Sequence, residues 1–229
     1  TSVLVPLTGY IDRFLVGAFG SLSAVAFYAA PYELTSKLLI VPGSVSAVLL
    51  PTLSRANQRL DSAHEHQVEA ASAWNSTPLF ALAAVLIVFA QPLLSIWLGH
   101  EYAVSATVPL RMLLVAVYLN GLALLPFTML ESAGRPDLVT KYHVVELPLY
   151  LALLIPLIQQ RGIEGAALAW LARNAVGLIV LIVLAARVQS RAPGQLIGRA
   201  TGLLIGGGGV LLAASVIALQ LGMRAWPVL

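Results

Sequence analysis

Seven apolar stretches lie almost end to end along this chain, each long enough to cross a bilayer as a helix. Nothing else in the sequence constrains the fold as tightly. In hydrocarbon a backbone must satisfy its own N–H and C=O groups, and a helix does so within a single segment. At about 20 residues per span, seven helices take up well over half of the 229 residues. That leaves no room for a soluble catalytic domain, so the expected fold class is an all-α integral membrane bundle of about seven transmembrane helices. Charged residues make up 10% of the chain, against about 25% in a soluble domain. With no cysteine, disulfides, thiolate metal sites and thiol nucleophiles are excluded.

The first stretch runs from about Val3 to Phe19 and contains Asp12 and Arg13. The second, about Ala24 to Leu53, is longer than one perpendicular crossing needs, which predicts a tilt or a kink around Pro31 and Pro42. Residues Ser54 to Ala71 form a polar segment outside the membrane. The third stretch covers about Trp74 to Leu98, with Trp97 as an interfacial anchor, and the link Gly99–Tyr102 leads to the fourth, about Thr107 to Leu130. A Gly-Pro loop at 131–137 precedes the fifth, about Leu138 to Ile158, which carries Pro148 and Pro156. A tight turn at Gln159–Gly162 leads to the sixth, about Ile163 to Ala186. A basic link with Arg187, Arg191 and Arg199 joins the seventh, about Ala200 to Leu221.

Basic residues set the expected orientation. The links after the second, fourth and sixth stretches hold Arg55, Arg59, Arg135, Lys141, Arg187, Arg191 and Arg199, whereas the other side has Arg111, Arg161 and Arg224. By the positive-inside rule the first helix starts on the cytoplasmic side. The chain opens at Thr1 inside an apolar run, without an initiator Met. It therefore reads as the C-terminal half of a longer protein, with a preceding part of an even number of spans.

Six charges sit well inside apolar stretches: Asp12, Arg13, Glu33, Lys37, Glu146 and Arg173. Each costs about 2.5–3.5 kcal/mol at a helix centre, so six facing lipid would cost on the order of 15–21 kcal/mol. Most must face other helices or water, and intramembrane charges usually mark a route for something polar. Glu33 and Lys37, four apart, share one helix face, either as an internal ion pair or as a polar strip lining a cavity. Asp12 and Arg13 point about 100° apart, so at least one needs a partner on another helix. Arg173, beside Asn174, offers a planar fork suited to phosphate or carboxylate, and its alternative role is a partner for Glu146 on the preceding antiparallel helix. His143 shares a face with Glu146. Together they could relay a proton or cation, although a solvated histidine near the helix end is the plainer reading.

Other motifs carry little. His64-Glu65-His66 has histidines two apart and no third ligand nearby, a poor zinc site. The Gly206–Gly209 run lacks a following Lys-Ser/Thr and so is no P-loop, but it would allow close helix packing. No cofactor is expected, and no nucleic acid.

Several segments resemble the second half of bacterial Wzx-type polysaccharide flippases, in the multidrug/oligosaccharidyl-lipid/polysaccharide exporter superfamily. They are Asp12-Arg13, Val25–Ala30, Val41-Pro42 and Leu50–Arg55, followed by Leu110–Leu113, Ser132–Pro136 and Gly162–Ala169. The resemblance implies two six-helix bundles facing each other across a cavity, with residues 1–188 as the second bundle. Residues 189–229 would then add a basic link and one extra helix. It also implies a location in the cytoplasmic membrane and a substrate carried on undecaprenyl pyrophosphate: an oligosaccharide or polysaccharide unit moved to the outer leaflet by alternating access. Its partners would be that lipid-linked oligosaccharide, the N-terminal bundle, membrane lipids and a coupling proton or cation. Arg13, Lys37 and Arg173 fit contacts to sugar or pyrophosphate. Asp12, Glu33, Glu146 and Asn174 complete the candidate pathway.

Three alternatives stand beside this reading. A lipid II flippase-like protein also has extra helices. A multidrug or cation antiporter would call for a compact acidic site, whereas three bases and three acids occur here. A membrane-embedded glycan polymerase or glycosyltransferase would need large outer loops, and the outer links are short.

Overall fold

A computed structural model describes residues 4–56, 63–190, 202 and 206, without the side chains of 4–9, 52–56 and 63–75. Most of the expected seventh helix, Arg191 and Arg199 of its basic link and most of the Gly206–Gly209 run lie outside the described residues, as do the side chains of the His64-Glu65-His66 motif, whereas Arg187 falls in the last turn of α7. Seven α-helices and no strand make up the described part: α1 (Leu4–Phe19), α2 (Leu22–Lys37), α3 (Ile40–Ala56), α4 (Ala63–Val88), α5 (Ala90–Leu98), α6 (His100–Ser132) and α7 (Pro136–Val188). By length and hydropathy, Leu22–Pro51, α6 and α7 are each able to cross a membrane. The bent pair Ser76–Val88 and Ala90–Leu98 makes a fourth such unit. The chain is therefore an all-α membrane bundle.

α7 is too long for one crossing: its 53 residues would reach about 80 Å at 1.5 Å per residue, against a hydrocarbon core of about 30 Å. Gly162 divides it, with φ 56° and ψ −130°, a conformation open to glycine alone. The two halves fold back on each other. A Cβ on Gly165 would lie 1.9 Å from the carbonyl oxygen of Leu157, and one on Gly177 would lie 2.7 Å from the hydroxyl of Tyr142. The partners recede from Gly162 in step, as in an antiparallel hairpin, and the predicted turn at 159–162 is realised there.

The second predicted stretch is interrupted near Pro42 and not at Pro31. α2 ends at Lys37 and α3 begins at Ile40, while Pro31 stays inside α2. Proline at 42 removes the donor that would bond the carbonyl of Leu38. Around the break the backbone uses short i→i−3 bonds, Leu38 N–H to Thr35, Leu39 N–H to Ser36 and Val41 N–H to Leu38. Buried Pro42 packs over Gly121 of α6, where an added Cβ would come within 3.3 Å of the proline ring.

Other boundaries differ from expectation. α4 starts at Ala63, eleven residues before Trp74, so the described part of the polar segment is helical. An unexpected bend of 70° separates α4 from α5 at Phe89, one turn before Pro92. Val88 loses its normal partner because residue 92 has no N–H, and beside it the carbonyl of Ile87 accepts from Arg111 Nε at 3.2 Å. α6 starts directly after Gly99, whose φ of 94° interrupts the helix, so His100–Tyr102 are helical rather than a link. Pro148 and Pro156 sit in the first half of α7, and the helix runs through both without a break.

α6 is the hub. It touches α2, α3, α4, α5 and α7, and it is apolar on all sides, as suits a helix surrounded by others. Leu110, Leu113, Leu114, Ala116 and Val117 are fully buried. α1 and α2 lie against each other and against α7, while α3 packs on α4 and α6.

Candidate functional site

Five of the six mid-span charges fall in two centres where α1, α2 and α7 meet: Asp12, Arg13 and Glu33 in one, Glu146 and Arg173 in the other. Asp12 is completely buried on α1. Its two carboxylate oxygens accept from Tyr28 Oη at 2.8 Å and from the backbone N–H of Arg13 at 3.0 Å. Arg13 reaches the other way, to Glu33 of α2, with Nη2 2.7 Å from Oε1. The two neighbours thus divide their partners as their 100° separation requires. Arg13 also lies over the ring of Tyr32, its guanidinium carbon 4.4 Å from the centroid. Its Nε is buried without a hydrogen-bond partner.

The second centre lies in the hairpin of α7. Glu146 takes Arg173 Nε at 3.1 Å on Oε1 and Arg173 Nη2 at 3.3 Å on Oε2. Oε1 also accepts from the Tyr142 hydroxyl, and His143 Nδ1 is 2.8 Å from Oε2. The Arg173 and Glu146 side chains are 14% and 11% exposed, so this pair is shielded by protein. His143, expected as a solvated group, is instead 17% exposed and held by Glu146. It lies one turn from Glu146, and the hairpin covers that turn. Arg173 sits over Tyr150, its guanidinium carbon 5.0 Å from the ring centroid, and the buried Tyr150 hydroxyl has no hydrogen-bond partner.

Aromatic contacts join the two centres. Tyr32 meets Trp170 edge to face at 5.3 Å, and Trp170 is one turn from Arg173 on the same helix. Tyr32 lies within the fields of both Arg13 and Arg173.

Glu33, the partner of Arg13, and Lys37 one turn on stand at the exposed edge of the first centre. Their side chains are 50% and 71% exposed, and they lie 3.8 Å apart on one face of α2. They form both the ion pair and the exposed polar strip that the spacing allowed. Asn174 is 8% exposed; its Nδ2 donates to the Trp170 carbonyl at 2.7 Å, and its Oδ1 accepts from Asn120 Nδ2 of α6 at 2.6 Å. Asn174, next to Arg173 in the chain, thus bridges α7 and α6 through its side-chain amide.

Sequence reasoning passed over Tyr28, Tyr32, Tyr142, Tyr150, Asn120 and Gly177. A usable signal was present. Tyr142, Glu146 and Tyr150 are four apart in turn, as are Tyr28 and Tyr32, so each set forms a polar stripe on one helix face. Among the described residues no group of three or more His, Asp or Glu side chains is placed to hold a metal.

Residues 1–107 match a family profile described as polysaccharide biosynthesis protein. A Shigella flexneri protein named for O-antigen transport is 29% identical over 192 residues, covering 83% of this chain and 45% of that protein. A Haloferax volcanii protein named for a flippase of low-salt glycan biosynthesis is 24% identical over 187 residues, covering 78% of this chain and 39% of that protein. The chain thus spans less than half the length of these curated relatives. No solved structure matches it.

Proposed function

We propose that this chain, a relative of the Wzx-type polysaccharide flippases, forms one wall of a pathway that carries a lipid-linked glycan unit across the cytoplasmic membrane. Both relatives carry names for transport, one of O-antigen and one as a glycan-biosynthesis flippase, which supports a transport reading. One observation carries the proposal: Glu33 and Lys37 stand half or more exposed on an apolar span. At about 2.5–3.5 kcal/mol per charge near a helix centre, that face is a poor match for lipid tails. A watery cavity, closed on its far side by a second bundle, satisfies both charges.

In this reading Arg13, Lys37 and Arg173 meet the diphosphate or the first sugars, and Asp12, Glu33 and Glu146 hold the bases in place. Arginine forks suit phosphate because two parallel N–H donors match two oxygens. Exposed Lys37 would receive the anion first, and the better-shielded arginines would hold it further in. Undecaprenyl pyrophosphate is the proposed carrier and alternating access the proposed cycle, with α1 starting on the cytoplasmic side. Residues 1–188 would serve as the second bundle, with a helix beyond it.

The test is translocation of a lipid-linked glycan in cells carrying Arg13→Ala, Lys37→Ala or Arg173→Ala. Each variant should flip the glycan more slowly at unchanged protein level. Normal flipping by all three would remove the proposed site.

A further inference from the structure

We infer that Tyr142, seated against Gly177, is a positioning residue that fixes how Arg173 is presented to an anionic group. The inference rests on Arg173 belonging to the pathway proposed above. It begins with the symmetry at Glu146. Each carboxylate oxygen takes one bond from its own helix and one from across the hairpin: Oε1 from Tyr142 and Arg173 Nε, Oε2 from His143 and Arg173 Nη2. The two bonds from the same helix stop the carboxylate from rotating about its terminal torsion, which is otherwise soft. Its plane is thereby kept in line with the guanidinium.

Both bonds from Arg173 leave the Nε/Nη2 edge, so the end-on pair of N–H groups, one on each Nη, points away from Glu146. That end is the fork a diphosphate can take without displacing the internal carboxylate. Losing the Tyr142 bond would free Oε1 and let the paired edge drift.

Tyr142 can reach Glu146 only because residue 177 lacks a side chain. A Cβ at 177 would lie 2.7 Å from the Tyr142 hydroxyl but 3.7 Å from its ring carbon Cζ. The first distance forces a shift and the second is ordinary contact. Gly177→Ala should therefore act through that hydroxyl alone.

The experiment measures phenylglyoxal modification of Arg173 by mass spectrometry in the protein purified in detergent. Tyr142→Phe and Gly177→Ala should each raise the modification rate several-fold while the melting temperature stays within a few degrees. Adding Gly177→Ala to Tyr142→Phe should raise the rate no further, because the atom it strikes has gone. Tyr118→Phe, which removes an unpaired hydroxyl elsewhere on α6, should leave the rate unchanged. Unchanged rates in both single variants, or independent additive effects in the double one, would overturn the inference. Inorganic pyrophosphate, added to the unaltered protein, separates this from the pathway reading. Failure to protect Arg173 counts against the pathway alone, whereas unmoved variant rates count against Tyr142 whatever pyrophosphate does.

Discussion

Replacing Glu33 by Gln should destabilise the protein through Arg13, and the size of the effect follows from where each group sits. At 2.7 Å between Nη2 and Oε1 the charge centres are about 4 Å apart, worth about 4 kcal/mol at an effective dielectric of 20. Glu33 is half exposed and Arg13 only 18%, so solvent screens one partner and not the other. Exposed pairs contribute about 0–1 kcal/mol, and breaking a buried one costs about 3–5 kcal/mol. This pair falls between, at about 1–3 kcal/mol for Glu33→Gln. Arg13 then keeps its ring contact with Tyr32 but loses its carboxylate, with Nε already unpartnered. Arg13→Gln should cost a similar amount. The double variant should cost at least about 1 kcal/mol less than the sum, since neither charge is left alone. The assay is reversible unfolding in mixed micelles for all four proteins. Strict additivity would refute the pairing. A larger coupling of Arg13 with Asp12 than with Glu33 would show that the adjacent acid is the real partner.

Two further outcomes follow from packing. Gly165→Ala should cost more than about 3 kcal/mol and abolish accumulation in membranes, because its Cβ meets backbone at 1.9 Å and backbone cannot swing aside; normal expression would contradict the hairpin. Asn174→Leu should cost about 0.6–1.7 kcal/mol from the lost bond to Asn120, with flipping near normal once protein level is matched, read by melting and by translocation.

The class of the fold was readable in the sequence because apolar length is a cumulative signal that no single residue overturns. The partners of the charges were partly readable. Spacing along a helix gave Glu33 with Lys37 and allowed His143 with Glu146, though a solvated histidine was the plainer expectation, and antiparallel order offered Glu146 with Arg173. The Arg13–Glu33 bond was harder to foresee, since it depends on the rotation of α1 against α2 and rotation leaves no periodic trace. The tyrosines were overlooked for another reason. In an apolar stretch a Tyr looks like one more large hydrophobe, and only its four-residue offset from a charge sets it apart. The bend at Phe89 was missed because Pro92 acts one turn upstream of itself, and because Arg111, which donates to the Ile87 carbonyl beside the bend, comes from a different helix.

The interruption after Lys37 divides the loyalties of a single crossing. Its first half, carrying Glu33 and Lys37, lies against α1 and α7 as well as α6, whereas its second half rests on α4 and α6. With short-range bonds already in place at residues 38–41, flexing there sacrifices no regular helical turn. Both halves therefore lean on the same central helix, and the joint at 38–41 lets each follow its own outer neighbours over that common support, an articulated strut rather than a rigid post.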